Sequence, residues 1–150
     1  MSLYVQPAGI LVRKGNPKGI KSFEDLTRAG IYLLDVNGEG SAGLWEELAG
    51  KKGHIAEIRK RIAITVETTE EAIENWKSAP ALDAWISFES WHYRLKEITD
   101  LVKLPKDERA YRGTAAVATQ FYKNREAARM FLAFLKTLEC QAVFRKWGWE

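Results

Sequence analysis

The segment Ile31-Tyr32-Leu33-Leu34-Asp35-Val36 is short and almost continuously apolar. A run of that length, with no helical spacing, reads as a strand buried on both of its faces. Such a strand needs covering layers above and below it. That requirement points to an α/β fold with a mainly parallel sheet flanked by helices.

The rest of the chain alternates accordingly. Ala8 to Val12 reads as a strand, followed by the turn residues Gly15-Asn16-Pro17-Lys18-Gly19. Ser22 and Asp25 have the spacing of a capping box for a short helix over Phe23 to Arg28, which ends near Gly30. A helical stretch from Leu44 to Leu48 follows the loop after Val36. Ile55, Ile58 and Ile62 fall on one helical face, and the β-branched Ile62 to Val66 reads as a strand. Thr68 or Thr69 caps a helix through Trp76, with Glu70 and Glu71 at its positive end. Leu82 to Phe88 and Ile98 to Leu104 read as further strands, and Tyr111 to Thr119 as extended. Asn124 starts a long helix with Ala127, Ala128, Met130, Phe131, Phe134, Leu135 and Leu138 on its apolar face. Ala142, Val143, Phe144 and Trp147 continue in a second helix.

Composition narrows the function classes. The chain has 150 residues, 46% hydrophobic and 29% charged, which suits one compact domain or one lobe of a larger protein. No apolar run is long enough to cross a membrane as a helix. Met1-Ser2-Leu3 reads as a leader, and no secretory signal is recognised after it. The 23 basic residues are interspersed with 20 acidic ones, so no nucleic-acid partner is expected. The lone Cys140 cannot form an intramolecular disulfide, and neither it nor His54 and His92 show metal-ligand spacing. No metal and no cofactor are expected.

The chemistry-bearing motif is the loop Asn37-Gly38-Glu39-Gly40-Ser41-Ala42-Gly43, between a predicted strand and a predicted helix. Gly38, Gly40 and Gly43 match G-x-G-x-x-G, and Glu67 ends the next extended run, so an NAD-type dinucleotide-binding enzyme domain is one reading. The extra helical stretch from Gly53 to Ile62 weakens it. A nucleophile elbow is excluded, because Glu39 stands where that motif needs glycine. The physical content of the loop is more general. Glycines allow close backbone approach, and a helix N-terminus offers free N–H groups to any small anion. Ser41 adds a hydroxyl donor there. The plainest alternative is a strand-to-helix turn with Ser41 as N-cap.

Several segments together resemble the type II periplasmic solute-binding proteins of ABC importers. They are Leu11 to Ile20 followed by Ser22-Phe23-Glu24-Asp25-Leu26, then Asp83-Ala84-Trp85-Ile86-Ser87-Phe88, then Ala127 to Leu135 and Cys140 to Gly148. Gly43-Leu44-Trp45-Glu46 and Asp83-Ala84-Trp85-Ile86 resemble more narrowly the accessory-colonization-factor subgroup, relatives of molybdate- and sulfate-binding proteins. The resemblance implies two α/β lobes joined by crossing strands, with a ligand held between them. Residues 22–105 would be the second lobe. Residues 4–21 and 106–150 would be the crossing strands and the C-terminal part of an incomplete first lobe.

By that resemblance the function is non-catalytic binding of a small oxyanion for import through a membrane ABC permease, in the periplasm or otherwise outside the cytoplasm. An effector-sensing domain of a transcription regulator shares the fold and is the other alternative. The ligand residues expected are Asn37, Gly38, Gly40, Ser41 and Ala42 from the loop, with Trp85, Phe88 and Glu89 at the end of a central strand, where Ser90 also sits. Amide N–H groups of Gly40, Ser41 and Ala42 would face the anion. Phe88 falls where molybdate binders carry a tyrosine hydroxyl, which phenylalanine cannot supply. Glu89 would repel an anion unless it pairs with a cation. The apolar C-terminal helices lack the sheet they cover in the family. Burying each large side chain is worth about 1.5–3 kcal/mol, so a homo-oligomer with Phe131, Phe134 and Trp147 in its interface is expected.

Overall fold

The structure is a computed structural model that describes residues 2–119 and 123–150, so Met1 of the expected leader lies outside it. Among the described residues there are six strands: β1 (Ser2–Arg13), β2 (Leu33–Val36), β3 (Ile62–Val66), β4 (Ala84–Phe88), β5 (Thr99–Lys103) and β6 (Tyr111–Ala115). The helices are α1 (Leu44–Lys52), α2 (Ile55–Arg61), α3 (Thr69–Ser78), α4 (Glu89–Arg94), α5 (Arg125–Phe134) and α6 (Leu138–Lys146). Short 3-10 turns cover Glu24–Thr27 and Glu39–Ser41. The strand order is β3-β2-β4-β1-β5, and β6 pairs with β1. β2 runs parallel to β3 and β4, whereas β1 is antiparallel to β4, β5 and β6. The fold is α/β, its parallel strands flanked by helices and interrupted by one reversed strand.

That reversed strand is longer than its apolar signal. Only Ala8 to Val12 reads as a strand, yet β1 starts at Ser2. Ala8 to Arg13 lie between β4 and β5, and Ser2 to Pro7 pair with β6. Pro7 sits where β1 changes partners. Proline cannot donate to a ladder, so it is tolerated at such a junction and not inside a central strand. Ala8 N–H resumes the bonding beside it, donating to Ala110 C=O at 2.8 Å.

Both faces of β2 and β4 are covered, as the apolar runs require. On one face Ile10, Val12, Leu33, Ile86 and Phe88 pack with Leu44, Trp45, Leu48 and Ile58 from α1 and α2. On the other, Leu11, Leu34, Val36 and Trp85 pack with Ala72 and Trp76 of α3. The α3 start is a complete capping box: Glu71 N–H donates to Thr68 Oγ1 and Thr68 N–H donates to the Glu71 carboxylate. At the other end of α3, the Arg13 guanidinium donates to Trp76, Ala79 and Leu82 carbonyls and stacks 3.9 Å over the Trp76 ring. The predicted Ser22–Asp25 pair also forms, with Ser22 N–H donating to the Asp25 carboxylate at 3.1 Å.

Three helical features differ from expectation. The helix expected over Phe23 to Arg28 is only the 3-10 turn Glu24–Thr27, whose N-cap is Phe23 and not Ser22. α4 occupies Glu89–Arg94, directly after β4, where Trp91, His92 and Tyr93 give no helical signal of their own. The C-terminal helix breaks earlier than its apolar spacing suggests, because Thr137 Oγ1 caps a new helix by accepting from Cys140 N–H at 3.3 Å.

One buried charge sits on the central strand. Asp35 is buried on β2, and burial followed by repulsion from Glu46 raises its carboxyl to about 6. An unfolded aspartate ionises near its ordinary value of about 4. Folding therefore binds a proton between these values, and stability falls as pH rises from about 4 and is fully diminished above about 6. Asp35→Asn should remove this loss, which is on the order of 3 kcal/mol. Thermal melting should show the variant several degrees more stable than the parent at pH 7.5 and equal to it at pH 4. The same difference at both values would contradict the assignment.

Candidate functional site

The C-terminal ends of β2, β3 and β4 point to the same edge of the sheet, because the three strands are parallel. From β2 the chain moves to β3 on one side and later to β4 on the other. Ligands of open α/β sheets bind at such a switch point. A cavity of about 190 Å³ lies there, lined by Gln6, Glu39, Gly40, Ser41, Thr69, Phe88, Ser90, Trp91, Arg94 and Trp149. Each comes from a strand end or from the segment that follows one, except Gln6 on the β6-paired half of β1 and Trp149. The chain end is held beside Gln6 by reciprocal backbone bonds between Val5 and Glu150 at 2.9 and 2.8 Å.

The cavity wall is rich in donors. Ser41 is 6% exposed, and its hydroxyl has no hydrogen-bond partner among the described residues. Ser90 Oγ donates to Gln6 Oε1 at 3.0 Å, which leaves the Gln6 amide N–H2 as a donor. Arg94 stacks 4.8 Å over the Trp91 ring and has no carboxylate partner among the described residues. Thr69, the first residue of α3, offers its N–H and hydroxyl at the positive end of that helix. The acid present is Glu39, whose Oε2 accepts from Thr69 N–H at 3.2 Å and from Thr69 Oγ1 at 2.8 Å. Hydroxyls, a helix N-terminus and an unpaired guanidinium form a wall that favours negative charge.

The predicted residues divide in two. Gly40, Ser41 and Phe88 meet at the cavity. Phe88 brings an apolar wall there and no donor. Asn37, Gly38, Ala42, Trp85 and Glu89 do not line it. Asn37 N–H extends the β2–β3 ladder to Val66 C=O at 2.8 Å. Trp85 is 0% exposed and packs among Leu11, Leu34 and Trp76. Glu89 is also buried, 3.4 Å from Lys103 and 3.8 Å from Arg109, so its charge is balanced on the β5 side of the sheet. The alternation of side chains along β4 explains the split: Phe88 and Trp85 lie on opposite faces.

The loop itself is built differently from a simple helix entry. Ser41 N–H donates to Gly38 C=O at 3.0 Å, closing the 3-10 turn, so Ser41 presents its hydroxyl and not its amide. α1 starts only after Gly43, whose φ of 70° favours glycine. Ser41 is therefore not the N-cap of α1. Ser90, expected after the end of β4, also lines the cavity, and the residues missed by sequence reasoning are Gln6, Glu39, Thr69, Trp91, Arg94 and Trp149. A usable signal existed for Arg94 alone, as a cation shortly after the central strand.

Comparison with known proteins bears on this geometry. The sequence model of the bacterial extracellular solute-binding proteins matches residues 2–150. The chain belongs to that family. It is 25% identical over 160 aligned positions to a sulfate-binding protein of Synechococcus elongatus, covering 94% of this chain and 45% of that protein. PEB3 bound to L-phospholactate superposes with a TM-score of 0.89 at 28% identity, over 100% of this chain and 67% of PEB3. The sulfate-binding protein SubI of Mycobacterium tuberculosis H37Rv shares the fold, with a TM-score of 0.77 at 22% identity over 99% of this chain and 57% of SubI. The chain thus spans less than half the length of its sulfate-binding relative and 67% of PEB3.

Packing accounts for one glycine of the loop. Gly38 is needed for packing: a Cβ there would stand 2.0 Å from Glu67 C=O. At Gly40 the same Cβ meets nothing within 4 Å. Gly38→Ala should therefore destabilise the chain by at least about 1–3 kcal/mol, while Gly40→Ala leaves its melting temperature within about a degree. Equal melting of the two variants would contradict the packing role of Gly38.

Proposed function

We propose that this chain is the anion-holding part of a two-lobed solute-binding protein, and that the cavity at the ends of β2, β3 and β4 takes a small oxyanion. The observation that carries the proposal is the convergence on one cavity of the hydroxyl of the buried residue Ser41 and the Arg94 guanidinium, the one without a hydrogen-bond partner and the other without a carboxylate partner among the described residues. Two relatives agree in ligand class, since one is a sulfate-binding protein and PEB3 was solved with L-phospholactate. Residues 22–105 would form the second lobe. Residues 4–21 and 106–150 would be the crossing strands and part of the first lobe, Gln120 to Tyr122 lying outside the described residues.

The mechanism is capture without chemistry. The anion sheds water, gains charge-assisted hydrogen bonds from Arg94, and is enclosed when the two lobes close. The complete protein would release it to an ABC permease outside the cytoplasm. Titration calorimetry with sulfate, phosphate, phospholactate and molybdate should show saturable binding of at least one, and none of NAD. Arg94→Gln should weaken that binding about tenfold or more, and Ser41→Ala about three- to tenfold. Binding of NAD alone would overturn the proposal.

The same reading covers assembly. α5 has a strongly one-sided apolar face with no buried residue, and Met130, Phe131, Phe134, Leu138, Val143 and Trp147 are exposed on α5, α6 and the residues after them. A contiguous apolar surface of this kind is uncommon on a soluble monomer. A second copy of this 150-residue chain would cover it, by packing or exchange of α5 and α6. Light scattering at micromolar concentration should give a dimer or larger, and Phe131→Glu with Phe134→Glu should give a monomer. A monomeric parent chain would remove this part of the proposal.

A further inference from the structure

Glu39 is the feature of the cavity that anion capture does not explain. It places a carboxylate in a wall otherwise suited to an anion. It is also held unusually: its φ is 51°, in the left-handed region that non-glycine residues rarely adopt. Conformations of that kind persist where the surrounding structure imposes them, often at binding sites.

The position of its carboxylate is specific. Oε2 takes both donors of Thr69, the N–H at 3.2 Å and the hydroxyl at 2.8 Å. The contact is separate from the α3 capping box, although it satisfies Thr69 N–H, a donor that the box leaves free. The box is already complete through Thr68 and Glu71, and Glu71 Oε2 also accepts from Glu67 N–H at 3.0 Å. Glu39 is thus a second carboxylate on a helix end that is already capped. It occupies donors that an oxyanion in the cavity would use, beside the unpartnered hydroxyl of Ser41, which is buried in the same wall.

We propose that Glu39 is a built-in competitor for the anion: its carboxylate holds the Thr69 donors, and an incoming oxyanion binds by displacing it. This inference rests on the anion reading of the cavity. Glu39 is exposed as a residue, so its carboxylate can swing into water once displaced. The arrangement lowers affinity for every anion and penalises weakly basic ones most, because only a ligand with several acceptor oxygens can take both Thr69 donors and engage Arg94 as well. Glu39 is in this sense a specificity residue that acts by occupying the site.

The test compares the parent chain with Glu39→Gln and Glu39→Gly, using sulfate and inorganic phosphate as probes in titration calorimetry, with thermal melting in anion-free buffer alongside. Glutamine removes the charge, and glycine removes the whole side chain while suiting the positive φ. Both variants should bind the better probe about tenfold more tightly than the parent, given the favourable charge–dipole contact the anion no longer has to displace. Melting of Glu39→Gln should stay close to that of the parent, since the glutamine oxygen still accepts from Thr69, whereas Glu39→Gly, which leaves both Thr69 donors without that acceptor, should melt a few degrees lower. Binding by the variants when the parent shows none would also support the competitor role. Parent and variants binding equally, or the variants binding more weakly, would overturn it and leave the anion reading standing. Absence of binding by all three proteins would overturn both.

Discussion

Most of this molecule hangs on the placement of β1 between β4 and β5. Its C-terminal half closes two antiparallel ladders, over Ala8 to Val12 with β4 and Gly9 to Arg13 with β5. Its N-terminal half pairs with β6 and, through Val5, with the chain end at Glu150. Tyr4 donates its hydroxyl to Leu135 C=O and stacks on Phe144, so the C-terminal helices hang on the same strand. Arg13 fixes the C-terminal end of α3 from the far end of β1. A slip of one residue in β1 would exchange Leu11 for Ile10 and Val12 between the two cores and break all of these links.

The cavity follows from that frame. Parallel β2, β3 and β4 deliver their following segments to one edge, which brings the Glu39–Ser41 turn, Thr69 and Ser90 together from distant parts of the sequence. β1 crosses beneath them and contributes Gln6, and the tethered chain end contributes Trp149. The result is a wall of neutral donors with one free guanidinium and one carboxylate. Neutral donors fixed by a sheet suit an oxyanion, because they need no rearrangement to bind it. The buried Glu89 is not part of this chemistry. Lys103 and Arg109 balance it on the other side, and Gly9 leaves it room: a Cβ there would stand 3.1 Å from Glu89 Cγ.

Strand identity was legible because the buried strands β2 and β4 carry mostly apolar runs, and the helix starts at Thr68 and Asn124 because each cap is a local pair of side chain and backbone. The N-terminal half of β1 was not legible. It alternates weakly, contains Pro7, and is stabilised by β6 more than a hundred residues later. α4 escaped for a related reason: its four inner residues, Ser90 to Tyr93, have poor intrinsic propensity and are held as a helix by contact with β1 and β5. At the site, the loop from Asn37 to Ala42 was found as a segment, yet only Gly40 and Ser41 of its predicted residues face the cavity. Which side chain of a loop points inward depends on turn geometry, here a 3-10 turn closed by Ser41 N–H, and glycine spacing does not encode it. Thr69 and Gln6 became site residues only through topology, and Arg94 was signalled only by its position shortly after β4.

The central claim is that an oxyanion sits at the ends of β2, β3 and β4. The most direct measurement is a crystal of the chain soaked in tungstate, with the metal located by its anomalous scattering. The account predicts one principal site, within hydrogen-bonding distance of Ser41 Oγ and the Arg94 guanidinium and close to Thr69. A principal site elsewhere, with none in this cavity at saturating tungstate, would contradict it.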